Sequence, residues 1–447
     1  MSPNITHVDL IIEARWLLPV LPKNTVLEFK SVVINAGKII DICSTNLAQN
    51  KYQSDEIVLL DQHVLIPGLI NLHTHAAMSL MRGLADDVAL MPWLEQYIWP
   101  AEQKFVSPQF VQDGTLLACA EMLSSGITTF SDMYFYPQAA AKAVNQAGIR
   151  ANLGLVVVDF ATNYANDADD YLQKGTEAHD SWRGQALIST AIAPHAPYTV
   201  SNKSFEKIAV LAEQLGVAIH THLHETDAEI AHSITNFNVR PIQRMADLSI
   251  LSPNLLAAHC VKMLPQELDL LAQYGCHVAH CPTSNLKLAS GIAPLKQLLE
   301  KGVNVGLGTD GAASHNRLDL FAEMRLGALL AKGNSGDASA VPAFQALEMA
   351  TINAAEALGL SNEVGSIEVN KLADLTAVKL SDFAISPCYD VLSHLIYACG
   401  REHVSHTWVA GELRYCEGVF ANIEPGELKH IVQTWQPKLQ QIKLGNN

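Results

Sequence analysis

Two histidines stand one residue apart in "NLHTHAAMSLMRG" (residues 71–83), directly after the apolar run "VLIPGLI". Because side chains alternate along a strand, His73 and His75 are expected to project from the same side of its end. Neutral imidazole is the commonest metal ligand in proteins, so the pair suits a divalent metal. Taken by itself, however, an H-x-H pattern is explained better by a pair of hydrogen-bonded structural histidines than by a metal site.

Further histidines and acidic residues occur near the ends of other apolar runs. They are His195 in "APHAPY", His222 and Glu225 in "HTHLHET", His259 in "AAHCV", His280 in "VAHCP" and Asp310 in "GTDGAAS". A structural role could explain any one of them. Burying all of them in one place is costly unless a metal or a substrate pairs with them, so the set favours a single active site.

Short apolar runs that could carry these residues alternate with stretches of helical pattern. The runs cover residues 64–72, 127–133, 150–158, 186–194, 217–224, 255–261, 277–282 and 304–310. Stretches such as "SPQFVQDGTLLACAEMLSSG" between them start at a capping residue and close on Gly, as helices do. The alternation predicts a (β/α)₈ barrel, in which all strands open their carboxyl ends onto one face, although a doubly wound sheet would alternate similarly.

The two ends of the chain have a different pattern. Alternating apolar residues flank turn residues in "VVINAGKIIDI" (32–42) and again around Gly411 in "TWVAGELRYCEG" (407–418), which indicates β-hairpins. We therefore expect residues 1–67 and 366–447 to form one small β-sandwich, with a helix at the C-terminus. Residues 68–365 are expected to form the barrel.

Composition and charge exclude several classes of protein. The 447 residues carry 29 Lys and Arg against 45 Asp and Glu, a net charge of −16, so binding to nucleic acid or to an anionic membrane has no basic surface to support it. The segment "MSPNITHVDL" lacks the pattern of an export signal, and no apolar run approaches the length of a membrane span. Eight scattered cysteines without a C-x-x-C pair indicate reduced thiols, so we expect a cytoplasmic protein.

An ordered set of motifs resembles a known family. "LIPGLINLHTH", a later H-x-x-E, "AAHC", "CPTSNLKLASGIAP", "LGTDGAAS" and "GSIEVNKLADLTAVKL" are similar to those of the amidohydrolase superfamily. Within it the resemblance is to the S-adenosylhomocysteine/5′-methylthioadenosine deaminases and the related triazine chlorohydrolases. The resemblance covers nearly the whole chain, and the set is far more specific than any one motif.

The resemblance implies one metal ion, usually zinc, at the barrel mouth. Its ligands would be His73, His75, His222 and Asp310, which leave an open position for a water molecule. On the fifth strand, periodicity alone does not choose among the histidines at 220, 222 and 224, which share a face. The family pattern H-L-x-E selects His222 and Glu225. The other two are then expected to lie in the barrel core (His220) and in a loop or pocket wall (His224).

The same resemblance implies roles in catalysis and substrate binding. Glu225 would protonate the ring as water adds to C6 of a purine, and Asp310 would pass the water's proton to the departing amine. His259 would hydrogen-bond the attacking oxygen. The expected substrate contacts are Trp93, His195, Glu225 and His280; for His280, packing fits as well as pocket contact.

Two departures from the family pattern bear on the substrate. Many relatives have an acidic residue for the ribose hydroxyls before the Trp, where this chain has Pro92. Relatives that accept S-adenosylhomocysteine tend to carry an arginine after strand three, and residues 153–160 contain none. The missing arginine favours the uncharged methylthioadenosine over S-adenosylhomocysteine, with adenosine as a further candidate.

Other functions remain open at this stage. A guanine deaminase or a chlorotriazine hydrolase would use the same metal on another ring. A barrel that has lost catalysis and serves as a binding protein would lack some of the ligands, and all of the expected ones are present. The expected partner is a small purine nucleoside. A homo-oligomer is compatible with the resemblance, because barrels of this kind often dimerise.

Overall fold

A computed structural model describes residues 5–445. The first four residues of the segment interpreted as lacking an export signal, and residues 446–447, lie outside the described part. The strands are β1 Thr6–Leu17, β2 Leu27–Asn35, β3 Lys38–Ser44, β4 Tyr52–Pro67, β5 Leu69–Thr74, β6 Ile127–Tyr134, β7 Arg150–Val157, β8 Ile188–Pro194, β9 Ala218–Leu223, β10 Leu255–His259, β11 His277–His280, β12 Asn304–Leu307, β13 Leu375–Lys379, β14 Val404–Val409, β15 Glu412–Cys416 and β16 Val419–Phe420.

Helices follow most of the strands. The α-helices are α1 Thr45–Lys51, α2 Leu90–Trp93, α3 Trp99–Phe105, α4 Pro108–Ser124, α5 Pro137–Ala147, α6 Ala168–Ser181, α7 Asn202–Leu215, α8 Asp227–Phe237, α9 Pro241–Asp247, α10 Pro265–Gln273, α11 Pro282–Lys287, α12 Leu295–Glu300, α13 Ala312–His315, α14 Leu320–Ser335, α15 Ala343–Met349, α16 Ile352–Ala357, α17 Val391–Tyr397 and α18 Pro425–Gly445. Short 3₁₀ turns cover Ala76–Met81, Phe383–Ile385 and Arg401–His403, and a π-helical turn covers Leu94–Ile98.

Strands β5 to β12 form the barrel, each parallel to the next in chain order. The segment after β12 closes it against β5. There the backbone N–H of Asp310 donates to the carbonyl of His73 (2.9 Å), and the Asn71 amide donates to Thr309 Oγ1 (2.7 Å). The predicted (β/α)₈ barrel is therefore confirmed.

The first predicted strand has wrong boundaries. The apolar run 64–72 is divided between two sheets, because β4 ends at Pro67 and β5 begins at Leu69. Both halves are buried, so apolarity alone could not show where the chain passes from one sheet to the other. Within β5 the alternation is clear: Ile70 and Leu72 pack outward onto α16, which leaves His73 facing inward.

A second sheet contains both ends of the chain, in the order β16-β15-β14-β13-β4-β1-β2-β3. Its pairs are antiparallel except β1 with β4. Residues from its two halves, among them Ile12 and Trp408, share one apolar core, as the layers of a sandwich do. The two predicted hairpin turns touch: a Cβ on Gly37 (φ 76°) would lie 2.7 Å from the Ala410 carbonyl oxygen, and Gly411 (φ 78°) faces Gly37.

The C-terminal helix α18 packs on the barrel instead of on the second sheet. Trp435 contacts Phe110 of α4 edge-on at 5.1 Å between ring centroids, and its indole N–H donates to Asp113 (2.7 Å). The proposed division at 67/68 and 365/366 stays a prediction. In the described segment, no helix combines the length and apolarity required to cross a membrane.

Candidate active site

The barrel brings the predicted site residues to one face. His73 and His222 lie near the ends of β5 and β9, and His259 and His280 are the last residues of β10 and β11. The remaining members follow a strand by one to three residues: His75, His195, Glu225 and Asp310. Because the strands are parallel, all of these positions are at the carboxyl-terminal end of the barrel, as the sequence predicts.

Three imidazoles and one carboxylate form a tight cluster there. The Nε2 atoms of His73 and His75 lie 3.5 and 3.2 Å from Asp310 Oδ1, and the Nε2 atoms of His75 and His222 are 3.3 Å apart. His73 and His75 with Asp310 form one group whose potential ligand atoms all lie within 4.8 Å of one another; His73 and His222 with His259 form another. The cluster therefore has the composition and spacing of a metal site.

Hydrogen bonds fix which ring nitrogen each histidine presents to the cluster. Nδ1 of His75 faces the carbonyl oxygen of Met133 (2.5 Å), and Nδ1 of His222 faces that of His195 (2.6 Å). A carbonyl only accepts, so each Nδ1 carries a proton and each Nε2 faces the cluster. Nε2 of His73 is buried and has no hydrogen-bond partner. This unpaired nitrogen, beside the other two Nε2 atoms, fits a bound cation.

The electrostatics of the cluster also fit a cation. Burial lowers the pKa of His73 to about 4 and that of His222 well below its usual value, which keeps both rings in the neutral form that binds metals. Burial alone would raise the pKa of Asp310, but the facing imidazoles of His73 and His75 hold it well below its ordinary value. Burial also opposes protonation of His75, yet the Asp310 carboxylate raises its pKa to about 9. The carboxylate thus attracts positive charge to this point.

Glu225 and His259 face each other beside the cluster. His259 Nε2 lies 3.9 Å from Glu225 Oε2, and its Nδ1 donates to Asn285 Oδ1 (2.8 Å). The hydroxyl of Ser290 donates to Glu225 Oε1 (3.2 Å). Burial raises the pKa of Glu225, so this carboxyl is suited to hold a proton that it can donate.

The segment "CPTSNLKLAS" (281–290) orients three of the site residues. Besides Asn285 and Ser290, its Ser284 hydroxyl donates to Asp310 Oδ2 (2.6 Å). Sequence reasoning used this segment as a family motif and missed the role of its polar side chains. The signal was a run of Ser and Asn after a predicted strand, and only the partners of these side chains reveal what they do.

A buried carboxylate on α8 holds the backbone of Glu225. Glu229 is 3% exposed, and its two oxygens accept the N–H groups of His224 (2.8 Å) and Glu225 (2.7 Å). Its own N–H donates to the Thr226 hydroxyl (3.3 Å), which completes a capping arrangement at the helix start. Glu229 therefore fixes the backbone of the turn that carries Glu225.

His224 is part of a loop anchor. Its Nε2 accepts the N–H of Ile242 (2.9 Å), and its Nδ1 lies 3.1 Å from the Lys262 carbonyl oxygen. It does not line the cavity above the cluster. Of the two roles expected for His224, the structure therefore supports the loop.

A cavity of about 790 Å³ opens above the cluster. Trp93, His195, Glu225 and His259 line it, whereas His280 is not among its lining residues. Burial lowers the pKa of His195 to about 3, so this ring is neutral. Most of the wall is apolar and comes from the segment after β5 and from the end of β7 with the residues that follow it: Met78, Leu90, Trp93, Leu94, Ile98, Trp99, Val106, Val156, Val158 and Phe160.

The wall also contains polar side chains, two of them carboxylates. Its carboxylates are Glu95, three residues after Pro92, and Glu102, which accepts a hydrogen bond from the Tyr134 hydroxyl (2.8 Å). In the described part of the chain, neither Lys nor Arg lines the cavity. The cavity wall is therefore suited to an apolar ligand. None of its described side chains is a Lys or Arg that could pair with an anionic group of a ligand.

Comparison with known proteins agrees with this geometry. The chain is 48% identical over 437 residues to a 5-methylthioadenosine/S-adenosylhomocysteine deaminase of Saccharophagus degradans, and the alignment covers 98% of each of the two chains. It superimposes with a TM-score of 0.97 on a crystal structure of an adenosine deaminase from Xanthomonas campestris with bound zinc, at 42% identity, covering 98% of this chain and 100% of that one. An atrazine chlorohydrolase from Arthrobacter aurescens shares the fold at 23% identity (TM-score 0.86, 96% of this chain and 100% of that chain).

A family model gives the broader assignment. Residues 64–414, which include the barrel and strands β13 and β14 of the second sheet, match the amidohydrolase family. The resemblance inferred from the sequence motifs is thereby confirmed, and the chain belongs to the amidohydrolase family.

Proposed function

We propose that the protein is a zinc-dependent aminohydrolase that converts 5′-methylthioadenosine to its inosine analogue and ammonia. One observation carries the proposal. The cluster of His73, His75, His222 and Asp310 lies at the floor of a nucleoside-sized cavity, with the protonatable Glu225 beside it. Replacing an aromatic amino group by water needs both a strong nucleophile and an acid, and this arrangement provides for both.

In the proposed mechanism, His73, His75, His222 and Asp310 would hold one zinc ion. A zinc ion bound there would lower the pKa of a water molecule and so make hydroxide available at neutral pH. His73 and His222 are neutral donors, Nδ1 of His75 and of His222 each face a backbone carbonyl, and Asp310 adds one negative charge. Side chains of the protein transfer the protons and orient the reacting groups.

Glu225 donates a proton to ring nitrogen N1 as water adds to C6, and its raised pKa suits that task. Asp310 accepts the proton of the attacking water and delivers it to the departing amine, and the second proton of the water returns from the oxygen on C6 to Glu225 as the carbonyl of the product forms. His259 hydrogen-bonds the attacking oxygen, and Asn285 fixes the orientation of its ring.

The wall of the cavity selects the substrate. Trp93 and its apolar neighbours would pack against the nucleoside, with His195 as a further contact. S-Adenosylhomocysteine carries an amino-acid carboxylate, for which the wall offers no Lys or Arg, whereas a methylthio group is uncharged and apolar. We therefore place methylthioadenosine ahead of S-adenosylhomocysteine, and assign the ribose hydroxyls to Glu95, which takes over from the acidic residue that Pro92 replaces.

The alternative functions are less well supported. A guanine deaminase or chlorotriazine hydrolase would not need a wall long enough for a ribose and a 5′ group. A non-catalytic binding protein would not need the cluster together with Glu225. We further propose a cytoplasmic protein, in keeping with eight cysteines that are all free thiols; the protein is also proposed to form a homo-oligomer, as barrels of this kind often do.

A substrate panel tests the proposal. The zinc-loaded protein would be incubated with methylthioadenosine, S-adenosylhomocysteine, adenosine, guanine and a chlorotriazine, while the release of ammonia or chloride is followed. We expect ammonia from the nucleosides, with the highest kcat/KM for methylthioadenosine. Release from guanine or the triazine alone would contradict the proposal.

A further inference from the structure

A row of polar side chains runs through the barrel interior beneath the metal cluster. His73 Nδ1 lies 2.9 Å from Nε2 of His220, a residue with no exposed surface. His220 Nδ1 lies 3.4 Å from Ser131 Oγ, and the same oxygen accepts a hydrogen bond from the Asn152 amide (3.2 Å). The Ser189 hydroxyl donates to Asn152 Oδ1 (3.2 Å). One chain of hydrogen bonds thus crosses five strands, in the order β5, β9, β6, β7 and β8.

The row leads to the opposite face of the barrel. A polar cleft of about 310 Å³ is lined by His220, Asn152 and Ser189, together with residues of the loops that precede the strands. Ser189 is exposed there, whereas Ser131 and His220 are fully buried. Burying such groups is tolerated only when each has a partner, so the buried members of the row depend on one another, whereas Asn152, which lines the cleft, can bond to water in place of the exposed Ser189.

One arrangement of protons in the row fits a metal ion on Nε2 of His73. The Asn152 amide, whose oxygen accepts the Ser189 hydroxyl, donates to Ser131 Oγ. That oxygen has a second lone pair for the Nδ1–H of His220, which leaves Nε2 of His220 as an acceptor. This acceptor takes the Nδ1 proton of His73, so that His73 presents the lone pair of Nε2 to the cluster.

His73 differs in this respect from the other two histidines of the cluster. The acceptors for His75 and His222 are backbone carbonyls, which have a single role. The acceptor for His73 is an imidazole, which can donate or accept and therefore has to be set by its own neighbours. Partners of this kind orient a ligand and tune its affinity for metal.

We propose that His220 is a positioning residue that fixes the tautomer and the orientation of the metal ligand His73. The inference rests on the proposed metal site and goes beyond it, because it assigns a task to a histidine that otherwise only fills the barrel core. It predicts that His220 acts through its acceptor nitrogen, and not through its volume.

Two substitutions at this position separate these roles. His220→Leu removes the acceptor and keeps most of the volume, whereas His220→Gln keeps an acceptor at a similar distance along the side chain. Ser189→Ala, at the exposed end of the row, is the matched control. Zinc affinity would be measured by competition with a chromophoric chelator, and folding by circular dichroism and thermal unfolding.

We expect His220→Leu to weaken zinc binding by roughly 10- to 100-fold, while His220→Gln and Ser189→Ala stay close to wild type. In the cobalt-loaded wild type, the Nδ1 protons of the three ligand histidines should give three paramagnetically shifted, exchangeable proton resonances. In His220→Leu, the resonance of His73 should exchange rapidly with solvent and disappear.

Equal zinc affinity in wild type and a folded His220→Leu, with all three resonances kept, would overturn the inference. Wild-type protein that binds no metal would instead contradict the proposed function, so the two failures are distinct. If His220→Leu does not fold, Ser131→Ala is tested instead, because it removes the acceptor of the His220 Nδ1 proton. Ser131→Ala should weaken zinc binding in the chelator assay measurably, but by a smaller factor than the loss of a metal ligand does.

Discussion

The floor and the wall of the cavity are held in place by different interactions. On the floor, Asp310, Glu225 and His259 each have a hydrogen-bonded side-chain partner from the segment 281–290. The wall, built largely from residues 90–106, consists mainly of apolar side chains packed on one another. Hydrogen bonds have direction and fix angles, whereas apolar packing fixes only volume.

This difference separates catalysis from selection. Proton transfer requires donors and acceptors within hydrogen-bond reach, so the floor has to be rigid. Substrate choice depends on shape and on the absence of unsuitable charge, which an apolar wall provides. The π-helical turn Leu94–Ile98 interrupts the helical segment of the wall, a feature that often occurs at functional sites. Changes on the floor should therefore affect kcat and metal content, and changes in the wall should affect KM.

The largest effect is expected for Asp310→Asn. The substitution removes the negative charge of the cluster and the proposed acceptor of the water's proton together. We expect turnover to fall by more than ~10⁴-fold, the upper end for a single acid–base group, and zinc binding to weaken as well. Metal analysis and initial rates at saturating zinc check this. Full zinc content with near-normal turnover would show that Asp310 has neither role.

Glu225→Gln should affect catalysis without affecting the metal. The amide keeps the size of the side chain but cannot transfer a proton to N1, because its N–H groups are not acidic. We expect turnover to fall by roughly two to four orders of magnitude, with zinc content and nucleoside affinity retained. Equilibrium binding and single-turnover rates would be measured together. Turnover close to wild type would make Glu225 a helix-start carboxylate only.

Asn285→Ala tests whether catalysis depends on the side chains of segment 281–290 that hydrogen-bond to the site residues. His259 would lose the acceptor of its Nδ1 proton and the orientation of its ring. We expect kcat to fall by roughly 10- to 100-fold with little change in KM, because the ground-state contacts are in the wall. Leu286→Ala, at an exposed position of the same segment that does not line the cavity, is the control, and an equal loss in both variants would point to general damage.

Trp93→Ala tests the wall. Stacking of a base on an aromatic ring contributes about 1–3 kcal/mol, so we expect KM for methylthioadenosine to rise about 10-fold or more. The value of kcat should change little, since the floor is unaltered. Steady-state kinetics decide, and a loss confined to kcat would place Trp93 outside the substrate contacts.

The smallest effect concerns the stability of the wall. Burial raises the pKa of Glu102 to about 7, against 4.5 in an unfolded chain. Folding therefore takes up a proton between these pH values, and the contribution of this carboxyl to stability falls as the pH rises from about 4.5 to 7. The glutamine in Glu102→Gln cannot ionise, so the Tm of this variant minus that of wild type should increase from pH 5 to pH 8. A constant Tm difference across this range would contradict the assignment.

The sequence predicted the barrel because its signals are local. Apolar runs, helix caps such as Ser107 and Ser201, and hairpin turns around Gly37 and Gly411 each depend on a few neighbouring residues. The site residues could be gathered for the same reason, since they follow predicted strands whose ends share one face. The separation of β4 from β5 was missed, because a continuous apolar run carries no mark where one sheet gives way to another.

Only the tertiary structure decided what each polar side chain contacts. Periodicity places His220 and His222 on one face of β9, but their roles depend on depth in the barrel: one reaches the cluster and the other supports His73. The partners of Asp310 and His259 lie 26 residues away in the chain. Hydrogen bonds between distant segments depend on how the strands are arranged around the barrel, and no local pattern in the sequence encodes that arrangement.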